Sequence, residues 1–232
     1  MKTIGIIGAM DEEITFFKNH LNNLKTIKKA RKNFYSGKMK GKNIIVVESG
    51  IGKVNAAVSC QVLIDLFNVE SVLGCGVAGG IHPDLEFGDI VISKDLIQYD
   101  IDVTCFGYEL GFIPRLKIKE IEADTGLVKL AKSIGDREIK DNRVFVGRIL
   151  TGDRFVSDPK TLEKLREDFK GWCVEMESAA IAQTCFLNNI PFVIIRSISD
   201  KADSCASLDY KKFAEKAAEN SFTLISKMLD YI

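Results

Sequence analysis

Polar and apolar positions along the chain fall into short continuous apolar runs separated by amphipathic stretches. Thr3–Gly8 (Thr-Ile-Gly-Ile-Ile-Gly) and Phe192-Val193-Ile194-Ile195 are runs of the first kind, rich in β-branched residues and too short to cross a bilayer. They read as strands buried on both faces. Ser71–Ala78 and the segments 89–98 and 143–150 read the same way, while 33–39 and 43–48 alternate around Gly41-Lys42 as a β-hairpin. Helical periodicity is predicted over 11–21, 53–67, 124–133, 159–168, 176–187 and 209–230. This alternation of buried strands and helices predicts a three-layer α/β/α domain. One segment breaks the rhythm: 99–115 is long, irregular and aromatic, with Tyr99, Phe106, Tyr108, Phe112 and Pro114. A loop of that length inside a compact fold is usually functional or mobile.

The 232 residues carry no linker, repeat or low-complexity stretch, so a single domain spanning 1–232 is expected. Lysine plus arginine and aspartate plus glutamate both total 32, which gives no global field toward nucleic acid or a membrane surface. The local cluster Lys25, Lys28, Lys29, Arg31 and Lys32 reads as a solvated connection after the first helix. The cysteines at 60, 75, 105, 173, 185 and 205 contain no C-x-x-C pair, and most have apolar neighbours, as buried reduced thiols do. With only His20 and His82, a histidine-rich zinc site is not expected. The apolar run to Met10 meets Asp11-Glu12-Glu13 directly, unlike a secretion signal, so a cytoplasmic location is the expectation.

Two glycine-rich motifs invite misreading. Gly74-Cys75-Gly76-Val77-Ala78-Gly79 fits G-x-G-x-x-G and follows a strand, but Ile81-His82-Pro83-Asp84 begins no helix to receive a pyrophosphate, which argues against NAD or FAD. Gly50-Ile51-Gly52-Lys53 lacks the spacing and the terminal hydroxyl of a phosphate loop. The acids are more informative. In open α/β sheets ligands bind beyond the strand C-termini, and there Arg196-Ser197-Ile198-Ser199-Asp200 turns abruptly polar. Glu13 follows the first strand. Glu175-Met176-Glu177 follows the strand-like Trp172-Cys173-Val174 and opens a helix of small residues. On a helix, Glu175 and Glu177 point to different sides, so one of them faces any shared pocket. Each acid also suits an ordinary capping or first-turn role. Three carboxylate sites without metal ligands, or a nucleophile beside a histidine, suit hydrolysis through a cationic, sugar-like transition state. In that chemistry one acid orders water, one holds hydroxyls and one protonates the leaving group.

Taken in order, Gly5-Ile6-Ile7-Gly8-Ala9-Met10-Asp11-Glu12-Glu13, Ser49-Gly50-Ile51-Gly52-Lys53-Val54, Asp102-Val103-Thr104 with Phe106-Gly107-Tyr108, Thr151-Gly152-Asp153-Arg154-Phe155, Val174-Glu175-Met176-Glu177 and Arg196-Ser197-Ile198-Ser199-Asp200 resemble the 5′-methylthioadenosine/S-adenosylhomocysteine nucleosidases of the nucleoside phosphorylase superfamily over essentially the whole chain. The resemblance implies a central twisted mixed β-sheet and a homodimer. It implies cleavage of adenine from adenine thionucleosides with no cofactor and no metal. It makes Glu13 the base that activates water and Asp200 the acid to adenine N7, oriented by Ser199. Glu177 would hold ribose hydroxyls with Met176 against the sugar, and Phe155 and Val156 would hold adenine. Met10, Ile51 and Tyr210 would line the sugar and thioalkyl region, with Val77, Ala78, Glu175 and Arg196 also in the substrate site. Val103 and Phe106 of the other subunit, with Tyr108 and Pro114, would close the alkylthio end. Val77 stands where the family usually has a hydroxyl residue, and Tyr210 where phenylalanine is common. A phosphorylase on the same fold, release of adenine from 6-amino-6-deoxyfutalosine or 5′-deoxyadenosine, and a non-catalytic nucleoside-binding protein are the alternatives.

Overall fold

The structure, a computed structural model, describes residues 2–203 and 206–232, without the side chains of Ser207, Lys211 and Lys212. Cys205 therefore lies outside the described residues. Strand β5 (Ser71–Gly80) is buried along its whole length and anchors a mixed ten-stranded sheet. On one side it pairs in parallel with β1 (Thr3–Gly8), which pairs in parallel with β4 (Lys42–Glu48). From there β3 (Lys32–Met39) and β2 (Asn22–Lys29) extend the sheet in antiparallel fashion. On the other side β5 pairs in parallel with β10 (Phe192–Asp200). The sheet then closes on itself: β10 pairs with β6 (Ile90–Gln98), β6 with β8 (Val144–Thr151), β8 with β9 (Cys173–Glu175), and β9 returns to the end of β5. The short β7 (Ile121–Glu122) pairs with β6.

Strand alternation sorts the core into two layers. Phe192, Ile194 and Ile198 of β10 face the cluster beneath α2 (Lys53–Phe67) and α5 (Ser178–Leu187), with Ala56, Cys60, Leu63 and Ile181. Val193 and Ile195 face the cluster beneath α1 (Asp11–Asn19), α3 (Thr125–Glu138) and α6 (Ala206–Met228), with Ile14, Phe17, Ile134 and Leu224. The three-layer expectation holds, with α4 (Pro159–Phe169) over a smaller cluster of Ile81, Leu150 and Leu165.

Two local readings are corrected. The lysine-rich segment after α1 is no mere connection: β2 is an edge strand whose eight residues are all exposed. Ala30 and Arg31 turn it into β3 with positive φ at both positions, the geometry of a two-residue hairpin that normally announces itself with Asn or Gly. Lysines along such an edge discourage strand pairing with another molecule. Second, α5 begins at Ser178, so Glu175 ends β9, Glu177 caps the helix, and the two acids are not spaced helically.

Candidate active site

The carboxyl ends of β1, β5 and β10 converge on a cavity of about 370 Å³. The β1–α1 turn brings Met10 and Glu13 to it, and β5 brings Val77 and Ala78. The β4–α2 turn contributes Ile51, and the loop after β8 contributes Phe155 and Val156. Glu175, Met176 and Glu177 come from the β9–α5 junction, Ser199 and Asp200 from the end of β10, and Tyr210 from α6. The candidates from all these segments thus share one site.

Each carboxylate is held differently. Glu13 is the third residue of α1 and folds back on the helix start: Oε2 accepts from the backbone N–H groups of Ala9 (2.5 Å) and Met10 (3.1 Å), and Oε1 from that of Val77 (2.9 Å). Burial raises its pKa, and the nearby Arg196 and these N–H donors only partly oppose that. The bond from Val77 is made by its backbone and does not depend on the side chain at that position. Asp200 accepts from the Ser199 hydroxyl (2.9 Å) and from Ala202 N–H (2.9 Å), and burial again raises its pKa above the ordinary carboxylate range. Glu177 accepts at Oε1 from Gly52 N–H (2.8 Å). Burial first, and then the neighbouring Glu175, push its pKa up to about 8.

Arg196 lies behind these acids, 1% exposed. Its guanidinium sits 2.6 Å from Glu175, 3.6 Å from Glu13 and 3.8 Å from Glu177. It donates further to Ser178 Oγ and the Cys75 carbonyl. It was expected among the substrate contacts. The structure instead places it behind the cavity wall, holding the acids from within, because alternation along β10 puts it on the same buried face as Ile194 and Ile198. Glu175 borders the cavity, but its oxygens are taken up by Arg196, by Thr151 and Ser178 hydroxyls, and by the N–H groups of Glu177 and Ser178. It shapes the junction that presents Glu177. Val103, Phe106, Tyr108 and Pro114 lie on the 99–115 loop outside the cavity of their own chain, with Phe106 78% exposed.

Sequence reasoning missed several residues that build the site. Gly76 has φ +149, and a Cβ there would collide with the Arg196 guanidinium and the Glu13 carboxylate. Gly52 supplies the N–H that holds Glu177. Thr151 donates to the Glu175 carboxylate and accepts the N–H of Ala179, the second residue of α5. Both glycines lay in motifs whose obvious phosphate-binding meaning had been set aside, which hid this local role. Tyr210 donates its hydroxyl to Met10 Sδ at 2.8 Å and meets Phe155 edge to face. Among the described residues no group of three His, Cys, Asp or Glu side chains is placed to hold a metal ion.

A mixed sheet with buried acids gathered at its carboxyl end, round the buried Arg196, is the arrangement of an enzyme site. The phosphorylase superfamily model matches residues 3–230. A 5′-methylthioadenosine/S-adenosylhomocysteine nucleosidase of Anoxybacillus flavithermus is 41% identical over 98% of this chain and 97% of its own. The crystal structure of the nucleosidase of the same name from Neisseria meningitidis, bound to methylthio-immucillin-A, superposes with a TM-score of 0.96 at 38% identity, covering 100% of both chains. A futalosine hydrolase of Helicobacter pylori superposes with a TM-score of 0.95 at 36% identity, covering 100% of this chain and 98% of that one. The chain belongs to the phosphorylase superfamily and, within it, to the methylthioadenosine/S-adenosylhomocysteine nucleosidase family of N-glycosyl hydrolases.

Proposed function

We propose that the protein hydrolyses the N-glycosidic bond of 5′-methylthioadenosine and S-adenosylhomocysteine, releasing adenine and the corresponding thioribose. The observation that carries this reading is the charge arrangement: Glu13, Glu175 and Glu177 surround one buried arginine, with Asp200 in the same cavity. Such a site is short of positive charge, and a sugar with oxocarbenium character supplies it as the glycosidic bond breaks. Adenine leaves poorly as an anion, so Asp200, whose burial favours the protonated form, is assigned as the acid that meets N7. Ser199 keeps its carboxyl turned toward the base. Glu13 is assigned as the base that takes a proton from water attacking the anomeric carbon. Glu177 is assigned to the ribose hydroxyls, and Phe155 and Val156 to the purine. Met10, Ile51 and Tyr210, which line the cavity, are assigned to the sugar and thioalkyl end.

The same reading makes residues 1–232 one catalytic unit that works as a homodimer in the cytoplasm. Its support is an apolar surface beside the cavity: Ile51, Val54 and Val58 at the start of α2 are exposed, Val54 by 75%, as is Phe106. A second copy would cover these and deliver Val103 and Phe106, with Tyr108 and Pro114, to the alkylthio end of its neighbour's cavity. A second reading is release of adenine from 6-amino-6-deoxyfutalosine, and the solved relative named a futalosine hydrolase makes a futalosine-type substrate worth testing. One experiment separates the readings. Methylthioadenosine, S-adenosylhomocysteine, 5′-deoxyadenosine and aminodeoxyfutalosine are offered in parallel, with and without phosphate, and the products are identified by mass. Free thioribose and adenine from the first two are expected. A sugar 1-phosphate, or turnover of aminodeoxyfutalosine alone, would overturn the assignment.

A further inference from the structure

We propose that Asp153 is a positioning residue for Glu177, acting through the backbone of Gly52; this rests on the assignment of Glu177 to the sugar. Gly52 is the N-cap residue of α2, with no side chain to cap it, and stands at φ +97. The capping role passes to a residue a hundred positions away: Asp153 Oδ1 accepts the N–H of Lys53 at 2.8 Å. Asp153 in turn donates its own N–H to Asp100 Oδ2 at 3.0 Å. Asp100 Oδ1 pairs with Lys53 Nζ at 2.6 Å and closes a ring of three residues. The members come from three strand exits: β4 into α2, β6 into the aromatic loop, and β8 into the purine loop. Gly52, one residue before Lys53, lies against that ring with its N–H on Glu177 Oε1 at 2.8 Å. A Cβ at Gly52 would press against Asp153 Oδ1 at 3.1 Å, so the two residues fit together only as they stand. Asp153 does not border the cavity. Its reach to the sugar is through one peptide unit, which fixes which Glu177 oxygen is occupied and which is left for the ligand.

The test compares a sugar-bearing ligand with a bare base by calorimetry, using methylthio-immucillin-A and adenine on the full chain. Asp153→Ala is expected to weaken methylthio-immucillin-A by about tenfold, the scale of one charge-assisted hydrogen bond, and to leave adenine within about twofold. Asp153→Asn keeps an Oδ1 acceptor for Lys53 N–H and is expected to stay close to the parent for both. Should Asp153→Ala fail to fold, Asp100→Asn loosens the same ring while leaving the cap, with a loss of about threefold confined to the sugar-bearing ligand. An equal loss on both ligands, no loss on methylthio-immucillin-A, or no rescue by asparagine would overturn the proposal. Because the parent is measured alongside, a parent that binds neither ligand counts against the nucleosidase reading itself. A parent that binds both, with unselective variants, counts against Asp153 alone.

Discussion

Replacing Arg196 with methionine tests the electrostatic core of the site directly. Methionine fills much of the same volume but leaves Glu13, Glu175 and Glu177 facing one another without the cation that lies 3.6, 2.6 and 3.8 Å from them. Removing one partner of a buried ion pair costs about 3–5 kcal/mol, because the remaining charges stay buried and uncompensated. For a chain of this length that lowers the melting temperature by about 10 °C. The loss has a definite pH dependence. Burial already raises Glu13 and Glu177 above their ordinary value of 4.5, and Arg196 opposes that rise. Without it both rise further. A carboxyl whose folded pKa exceeds its unfolded one costs nothing below the unfolded value, where it is protonated in both states. Its penalty grows as pH climbs toward the folded value, about 8 for Glu177 even with the arginine present. The deficit of Arg196→Met should therefore be greatest above pH 8 and shrink toward pH 5. Urea denaturation of parent and variant at pH 5, 7 and 8.5 measures it. A deficit of the same size at all three would mean that packing, not charge, is what the arginine provides.

Asp200→Asn keeps the shape and can still bond Ser199, so the fold should survive with unchanged or slightly higher stability at pH 8. Adenine release should fall by about 10²- to 10⁴-fold, read by absorbance at saturating methylthioadenosine. Near-normal turnover would remove the acid role. Gly76→Ala forces a Cβ against Arg196 and Glu13 at a backbone angle that disfavours side chains. A loss of about 2–4 kcal/mol in denaturation and of most activity is expected, and a variant as stable as the parent would show that the strand can yield there. Val54→Glu places a charge on the exposed start of α2 and should give a monomer by light scattering, with weakened turnover. An unchanged oligomer would locate the interface elsewhere.

The sequence showed the strands well wherever they are buried on both faces, because burial leaves a continuous apolar run such as Ile4–Ile7 or Phe192–Ile195. It failed on β2, which buries neither face and whose turn uses Ala30 and Arg31 instead of the residues that signal a hairpin. Closure of the sheet was also invisible. It depends on three-residue β9 and on β10 pairing with both β5 and β6, contacts distant in sequence that no local period encodes. Acids at strand ends were legible because Glu13, Glu177 and Asp200 stand at abrupt changes from apolar to polar residues. Their division of labour came only from the family resemblance, not from the local pattern. Whether Glu175 or Glu177 faces the cavity depends on where α5 starts, and which acids Arg196 holds depends on the glycine that gives it room.

That arginine also bears on the choice between water and phosphate as the attacking group. A phosphate dianion needs donors with free capacity near the anomeric carbon, and guanidinium groups are well suited to give them. Here the buried guanidinium is already engaged: Nη2 by Glu175, Nη1 by the Cys75 carbonyl and Nε by Ser178 Oγ. The first turn, where an incoming anion would approach beside β1, presents the Glu13 carboxylate, whose own N–H donors from Ala9, Met10 and Val77 are turned toward it and away from any ligand. Phosphate would meet the Glu13 carboxylate, and the other arginine at the cavity, Arg154, is paired with Asp158, whereas water carries no charge and can use Glu13 as the acceptor of its proton. Added phosphate should therefore leave the rate of adenine release unchanged.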